Sequence, residues 1–331
     1  MFNDKTILLT GGTGSFGKKF TEMVFARYAP KKLIIFSRDE LKQFDMAKKF
    51  PPGRYPIRYF IGDIRDRQRL YRAFEGVNYV IHAAALKQVP ALEYNPFEAV
   101  KTNILGAENI VDAAIDRQVE KVVALSTDKA VNPVNLYGAT KLAMEKIFTA
   151  ASVYSGAQKT SFSLVRYGNV IGSRGSVIPF FMELLARGEK TLPITDERMT
   201  RFWITLEQGV ELVVKALNEG VGGEIFIPKI PSMKIIELAK ALCADCSHKV
   251  VGIRPGEKVH ETLISEDEAR TTVETNDGYV ILPQFALGHA SLKKYDGFRQ
   301  IGEGFVYRSD LNKSFVGADE LRGLIRDMEF E

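Results

Sequence analysis

The sequence predicts an α/β fold, a doubly wound parallel sheet followed by a smaller C-terminal substrate lobe. Three observations predict it. Short apolar runs alternate with amphipathic stretches as far as residue 170; a glycine-rich segment, TGGTGSFG at residues 10–17, joins the first run to the first amphipathic stretch; and the alternation changes beyond residue 170. A chain of 331 residues corresponds to roughly two domains at ~100–200 residues each. The expected division is 1–170 and 171–331, with 205–228 returning to the first domain.

Apolar runs at residues 7–9, 33–36, 58–61, 79–81, 122–125 and 162–165 read as buried strands, being short, continuous and rich in aliphatic residues. Stretches 18–28, 67–75, 97–117 and 137–154 carry helical apolar spacing. Right-handed crossovers bring the segments after each strand to one edge of the sheet. Those segments are the glycine turn, Ser37-Arg38-Asp39, Asp63-Ile64, Ala83-Ala84-Ala85, residues 126–129 and Tyr167-Gly168-Asn169, so one crevice is expected to collect them. Past residue 170 a glycine-rich connector at 172–179 leads into shorter pieces, including a helical 207–217 and a strand-like 224–227. Residues 284–307, with Gly288, Gly297, Gly302 and Gly304, have weak periodicity and read as a mobile or oligomer-facing loop.

Hydrophobic residues at 45%, charged residues at 26% and a net charge of +4 are ordinary globular values. Lys and Arg are interspersed with Asp and Glu, which argues for a small anionic ligand and against nucleic acid. Residues 1–5 lead straight into the first apolar run, and no run approaches the ~20 residues of a membrane span. A cytoplasmic protein without membrane contact is the expectation. Cys243 and Cys246 form a single CxxC, too few ligands for a zinc site, and are expected as reduced, packed thiols. The four histidines show no ligand spacing, so no metal is expected.

A glycine turn between strand and helix lets backbone amides approach a pyrophosphate that the helix dipole also attracts. Gly11, Thr13, Gly14, Ser15, Phe16 and Gly17 are therefore candidate dinucleotide contacts, joined by Ser37, Arg38, Asp63, Ile64, Ala83, Ala84, Ala85, Ser126, Tyr167 and Asn169 at the other strand ends. Arg38 favours a 2′-phosphate and hence NADP; Asp39, one position later, keeps NAD open as the alternative. Tyr137 and Lys141 lie four apart on one helix face. The lysine charge is expected to lower the tyrosine pKa, so that Tyr137 exchanges a proton with a substrate hydroxyl that Ser126 and Thr127 also orient. A bare YxxxK reads more readily as an ordinary surface pair, and its place after that strand is what makes it a site.

The segments TGGTGSFG, STDKA (126–130) and YGATK (137–141) resemble the extended short-chain dehydrogenase/reductase superfamily, whose cofactor domain is a Rossmann sheet. Within it the chain is most similar to the inverting UDP-N-acetylglucosamine 4,6-dehydratases of the pseudaminic acid pathway, from residue 3 to about 282, including HAAALKQVP at 82–90 and RPGEKVHE at 254–261. The resemblance implies a redox-neutral hydro-lyase that takes a UDP-sugar to a 4-keto-6-deoxy product inverted at C5, for bacterial surface or flagellar glycans. It implies NADP tightly bound and recycled each turnover. By the same resemblance Lys129 is the C5 base and Asp128 the C6 acid, with Tyr137, Lys141 and Thr127 at the C4 hydroxyl. Lys87, Asn103, Tyr137 and Lys141 join the cofactor contacts. Substrate contacts fall to Lys87, Asn169, Ser176, Val177, Thr195, Arg201, Arg254 and Glu257. Retaining sugar-nucleotide dehydratases carry an Asp-Glu pair where this chain has Asp128-Lys129. A lysine acts as a base only when neutral, so a depressed Lys129 pKa is expected. Stretches 97–117 and 137–154 resemble subunit-pairing helices, implying a dimer or a larger assembly up to a hexamer. Two competing readings stay open: a sugar-nucleotide 4-epimerase or reductase, which needs neither Asp128 nor Lys129, and a non-enzymatic NADP-sensing module, which has no use for the Tyr137–Lys141 pair.

Overall fold

β1 (Thr6–Thr10) is buried along its whole length and is the hub of the main sheet in the computed structural model, which describes residues 1–155, 160–173, 176–284 and 290–326. On one side it pairs in parallel with β2 (Lys32–Ser37), which pairs with β3 (Ile57–Ile61). On the other side come β4 (Tyr79–His82), β5 (Lys121–Thr127) and β6 (Ser161–Tyr167), also parallel. The order therefore reverses between β1 and β4, and in such sheets ligands bind beyond the carboxyl ends of the strands at that point. All six apolar runs are strands because a sheet covered on both faces needs aliphatic residues on both.

Helices α1 (Ser15–Arg27), α2 (Glu40–Lys49), α3 (Arg67–Ala73), α4 (Val89–Tyr94), α5 (Pro96–Val100), α6 (Gly106–Asp116) and α7 (Leu136–Tyr154) connect these strands. α2 escapes the apolar pattern because it buries only Gln43 and Met46. Its signal is a cap: the Asp39 side chain accepts from the Lys42 amide at 3.0 Å, satisfying an otherwise orphaned first-turn donor. The stretch 97–117 is not one continuous α-helix, since a π-helical turn, Lys101–Leu105, separates α5 from α6 and buries Thr102 and Asn103.

Beyond residue 168 the chain forms β7 (Asn169–Val170), α8 (Val177–Ala186), β8 (Thr191–Ile194) and β9 (Thr200–Ile204). The connector is thus partly helix; its residues 174–175 lie outside the described ones. α9 (Leu206–Glu219) packs against α1, β5 and β6, and β10 (Ile225–Pro228) pairs in parallel with β6. Next come β11 (Ser232–Lys234), α10 (Ile235–Leu242), β12 (Ser247–Val250), β13 (Thr262–Ile264), α11 (Glu266–Ala269), β14 (Thr272–Glu274), β15 (Gly278–Ile281), β16 (Arg299–Gln300), β17 (Tyr307–Arg308) and α12 (Ala318–Arg326). β15, β14 and β16 extend the main sheet in antiparallel fashion past β10. Part of the stretch read as a loop is therefore an edge strand preceded by a 3-10 turn, Ala290–Tyr295; Gly288 lies outside the described residues. A second apolar cluster, including Ile178, Phe181, Leu192, Ile194, Trp203 and Leu238, holds the C-terminal pieces together apart from the main core.

Cys243 and Cys246 are bridged, correcting the expectation of free thiols. Cys243 caps α10 in extended conformation, and the chain turns back to bring the two Cα atoms within 5.4 Å, inside the range a disulfide spans. Among the described residues no helix is long and apolar enough to cross a membrane.

Candidate active site

The carboxyl ends of the parallel strands open onto a cleft of about 610 Å3. Of the residues singled out in the sequence, Gly11, Thr13, Gly14, Ser15, Phe16, Ser37, Arg38, Asp63, Ile64, Ala83, Ala84, Ala85, Lys87, Ser126, Thr127, Lys129, Tyr137, Lys141, Tyr167, Asn169 and Ser176 line it. Gly17, Asn103, Asp128, Val177, Thr195, Arg201, Arg254 and Glu257 do not. Gly17 works from behind: a Cβ there would sit 2.2 Å from the Gly12 carbonyl oxygen, so glycine lets α1 start directly against the turn. The Asn103 side chain accepts from the Leu86 amide and donates to the Leu86 carbonyl, both at 2.9 Å, and donates to Thr140 Oγ1 at 3.0 Å. It braces the 83–88 loop that forms one wall instead of facing the cleft.

At the β2 end, the Ser37 hydroxyl bonds Thr13 Oγ1 at 2.9 Å, tying the second strand to the glycine turn. Arg38 is about half exposed, with its guanidinium 3.7 Å from Asp63. Arg65 pairs with Asp63 at 2.7 Å, and this contact holds the Asp63 carboxyl below its usual range despite partial burial. Asp39 is committed to capping α2 and to an ion pair with Lys42 at 2.6 Å. Across the cleft, Asn169 Oδ1 and Ser176 Oγ are buried without a hydrogen-bond partner among the described residues. Ser176 is the N-cap of α8 but leaves its hydroxyl unspent on the helix. Orphaned polar atoms on residues of the cleft wall, opposite a glycine cradle at a helix N-terminus, fit a dinucleotide and a second anionic ligand.

The reacting centre forms where β5 runs into a 3-10 turn, Asp128–Ala130, and meets the first turn of α7. Thr127 Oγ1 donates to Asp128 Oδ1 at 2.8 Å and Lys129 Nζ donates to the same oxygen at 3.1 Å. Asp128 is fully buried, and its Oδ2 has no partner among the described residues. Ser126 lines the cleft, but its hydroxyl is spent on Glu145, to which it donates at 2.5 Å; Glu145 in turn is gripped by the fully buried Arg166 at 2.6 Å.

Two expected pKa shifts run the other way. Burial favours the neutral Lys129 amine, but the Asp128 and Glu261 carboxylates outweigh it and raise its pKa. Tyr137 is pushed up to about 12 by burial, against the opposing Lys129 charge and a Thr127 hydrogen bond. The groups that shift it are Lys129, Asp128 and Thr127, while the Lys141 amine donates to the Leu125 carbonyl of β5 at 2.6 Å; helical spacing sets which face a residue occupies, not where a long side chain ends. Burial pushes Lys141 down to about 8, with Glu145 opposing. Glu261, quoted in the sequence only within RPGEKVHE, is a member of this centre: its Oε1 lies 3.6 Å from Lys129 Nζ. No local pattern announces it, since the contact is made across the fold.

Arg201 is neither a surface ion pair nor a free fork. It is buried, and its guanidinium donates to the carbonyls of Thr200 at 2.7 Å, Val259 at 3.1 Å and Lys258 at 3.0 Å. Arg254 and Glu257 close a tight turn, the Glu257 amide donating to the Arg254 carbonyl at 3.1 Å. That turn is tied to the start of α7 by Asn135, which donates to the Gly256 carbonyl at 2.7 Å. Thr195 follows β8 in the second lobe, and Val177 is the first residue of α8.

A family model described as polysaccharide biosynthesis protein matches residues 7–283. The chain belongs to this family. Within the polysaccharide biosynthesis protein family, it is 54% identical over 334 residues, covering 99% of both chains, to a Campylobacter jejuni protein named UDP-N-acetylglucosamine 4,6-dehydratase (inverting). It is 44% identical over 292 residues, 85% of this chain and 84% of the relative, to a Rickettsia rickettsii protein named UDP-glucose 4-epimerase. Among solved structures it matches Pen from Bacillus thuringiensis with a TM-score of 0.90 at 40% identity, covering 99% of this chain and 98% of that one. The family is one of extended short-chain dehydrogenase/reductase-like architecture, with which the sheet order agrees.

Proposed function

We propose that this protein removes water from UDP-N-acetylglucosamine across C5 and C6, inverting C5, with NADP as its resident cofactor. The observation that carries the reading is the Asp128–Lys129 pair at 3.1 Å beside Tyr137, in a chain so similar to the inverting dehydratase of C. jejuni. A 4-epimerase, as the Rickettsia relative is named, needs a proton relay at C4 alone. A dehydratase needs a base for the C5 proton and an acid for the C6 hydroxyl as well.

When bound, NADP supplies hydride acceptance at C4 and its return at C6, which makes the reaction redox-neutral. Tyr137 exchanges the C4 hydroxyl proton, helped by its hydrogen bond with Thr127 and by the Lys129 charge. The C4 ketone acidifies the C5 proton. The resting ion pair holds one proton between Lys129 Nζ and Asp128 Oδ1, 3.1 Å apart; its transfer to Asp128 leaves a neutral amine and a neutral acid, the two groups that dehydration requires. Lys129 then takes the C5 proton while Asp128 protonates the departing C6 hydroxyl. Reprotonation of C5 from the opposite face, by a proton drawn from solvent, inverts it.

Arg38 beside the cleft, with Asp39 spent on capping α2, supports NADP over NAD. Exposed Phe97, Leu105 and Val153 on α5 through α7 support a homo-oligomer built on those helices, and the enzyme acts in the cytoplasm on its soluble UDP-sugar. Mass spectrometry of UDP-N-acetylglucosamine incubated with the purified protein tests the reading. Loss of one water without accumulation of reduced cofactor is expected, whereas a product of unchanged mass would replace the dehydratase by an epimerase.

A further inference from the structure

We propose that Glu261 is a positioning residue that holds the Lys129 amine in the reacting centre by its charge. The inference rests on the reading of Lys129 as the C5 base. Glu261 is 2% exposed, and its Oε1 lies 3.6 Å from Lys129 Nζ and 3.7 Å from Arg201 Nε. Its Oε2 is 3.9 Å from Lys258 Nζ and has no hydrogen-bond partner among the described residues. A buried carboxylate is costly unless it is paired and hydrogen-bonded. Elsewhere in this protein that requirement is met in full, as where Arg166 bridges Glu145 at 2.6 Å and Glu268 at 2.8 Å. Glu261 makes no such bridge. It stands just outside hydrogen-bond length from three cations, so it supplies a field and leaves the Lys129 protons free to turn toward a substrate.

Its backbone is fixed all the same. The Glu261 amide donates to Ser309 Oγ at 3.0 Å, its carbonyl accepts from the Ser309 amide at 2.8 Å, and Ser309 Oγ bonds Thr200 Oγ1 at 2.7 Å. A rigid segment just before β13 thus delivers a carboxylate to the turn that ends β5.

The groups facing Lys129 are Asp128 from its own turn, Tyr137 from α7, Lys87 from the 83–88 loop, Arg201 from β9, and Lys258 and Glu261 from the segment before β13. Two of these are carboxylates. Asp128 must carry a proton when it acts as the acid for the C6 hydroxyl, so at that point it is not the counter-charge of an ammonium. As the C5–H bond breaks and its proton reaches Nζ, the Asp128 proton leaves with the C6 hydroxyl as water and a C5–C6 double bond forms. Glu261 takes no proton in this sequence. It is the negative charge that persists beside Nζ throughout, favouring the ammonium as it forms amid Arg201, Lys258 and Lys87.

The test is steady-state and single-turnover dehydration of UDP-N-acetylglucosamine by the cofactor-loaded enzyme, compared for wild type, Glu261→Gln and Glu261→Asp. For Glu261→Gln, kcat falls roughly 10- to 100-fold, the scale of a lost supporting partner, with KM nearly unchanged. The alkaline limb of its kcat–pH profile moves to lower pH, because the amine has lost a neighbouring negative charge. Reduced nicotinamide absorbance also builds up transiently, since C4 oxidation then outpaces C5 deprotonation. Glu261→Asp, which keeps the charge, restores the wild-type alkaline limb and part of kcat. An unmoved limb in Glu261→Gln overturns the proposal, as does equal impairment of both variants with matching losses of melting temperature. If Glu261→Gln does not fold, Glu261→Met, of similar volume and uncharged, is read for the same alkaline limb: a shift to lower pH supports the proposal and an unmoved limb overturns it. Failure of the wild type to dehydrate would sink the reading of Lys129, whereas a dehydrating wild type matched by Glu261→Gln would sink only the role of Glu261.

Discussion

Gly138→Ala tests whether the approach of α7 to the Asp128–Ala130 turn sets the reacting geometry. Gly138 lies in the first turn of α7, where its amide is already capped by Asn135 Oδ1 at 2.8 Å. Helix propensity alone favours alanine there by about 1 kcal/mol. A Cβ at this position, however, would stand 2.2 Å from the Lys129 carbonyl oxygen and 3.0 Å from Pro133 Cβ, where ordinary contact begins near 3.4 Å. The obstacle is backbone and has no rotamer to escape into, so α7 and the turn must part by about 1.2 Å, the gap between the closest of those approaches and ordinary contact. Tyr137 and Lys129 ride on the two sides of that gap. A misplacement of about 1 Å costs roughly 100-fold in rate, and overpacking costs about 1–3 kcal/mol. We therefore expect kcat to fall about 100-fold with a modest drop in melting temperature, read by dehydration kinetics and thermal denaturation of the same preparations. Wild-type kcat together with a raised melting temperature would show that propensity wins and that the approach is not tight.

Lys129→Ala is expected to lose dehydration by about two to four orders of magnitude, the range of a positioned general base, while wild-type product made in heavy water carries deuterium at an inverted C5; a near-normal rate would make this lysine a bystander. The Lys141 amine, pushed by burial from 10.5 to about 8, should imprint itself on stability in the cofactor-stripped protein. Between pH 8 and 10.5 the unfolded chain holds a proton that the folded one has released, so stability rises with pH across that window. Below it the burial cost is present in full. Denaturation midpoints of wild type and Lys141→Met should accordingly converge as pH rises through the window, and parallel curves would show that the amine is not desolvated.

What could be read from the amino acids alone was whatever the backbone demands locally. Parallel strands buried on both faces need continuous aliphatic runs, a strand-to-helix turn against a phosphate needs glycine, and a helix puts residues four apart on one face, so β1 to β6, the 10–17 turn and the Tyr137–Lys141 spacing were all legible. α2 was missed because it buries little, and the π-helical turn at Lys101–Leu105 because its register change leaves no mark on the apolar pattern. The charges of the centre were a different matter. Whether Lys129 gains or loses proton affinity depends on which carboxylates stand within 4 Å of it, and Glu261 arrives there from a segment distant in sequence. The same holds for Arg201, whose donors are taken by carbonyls of a distant segment, and for Lys141, whose amine is drawn to the end of β5 instead of to Tyr137. Through-space electrostatics falls off with a distance that folding sets, and nothing in residue order encodes that distance.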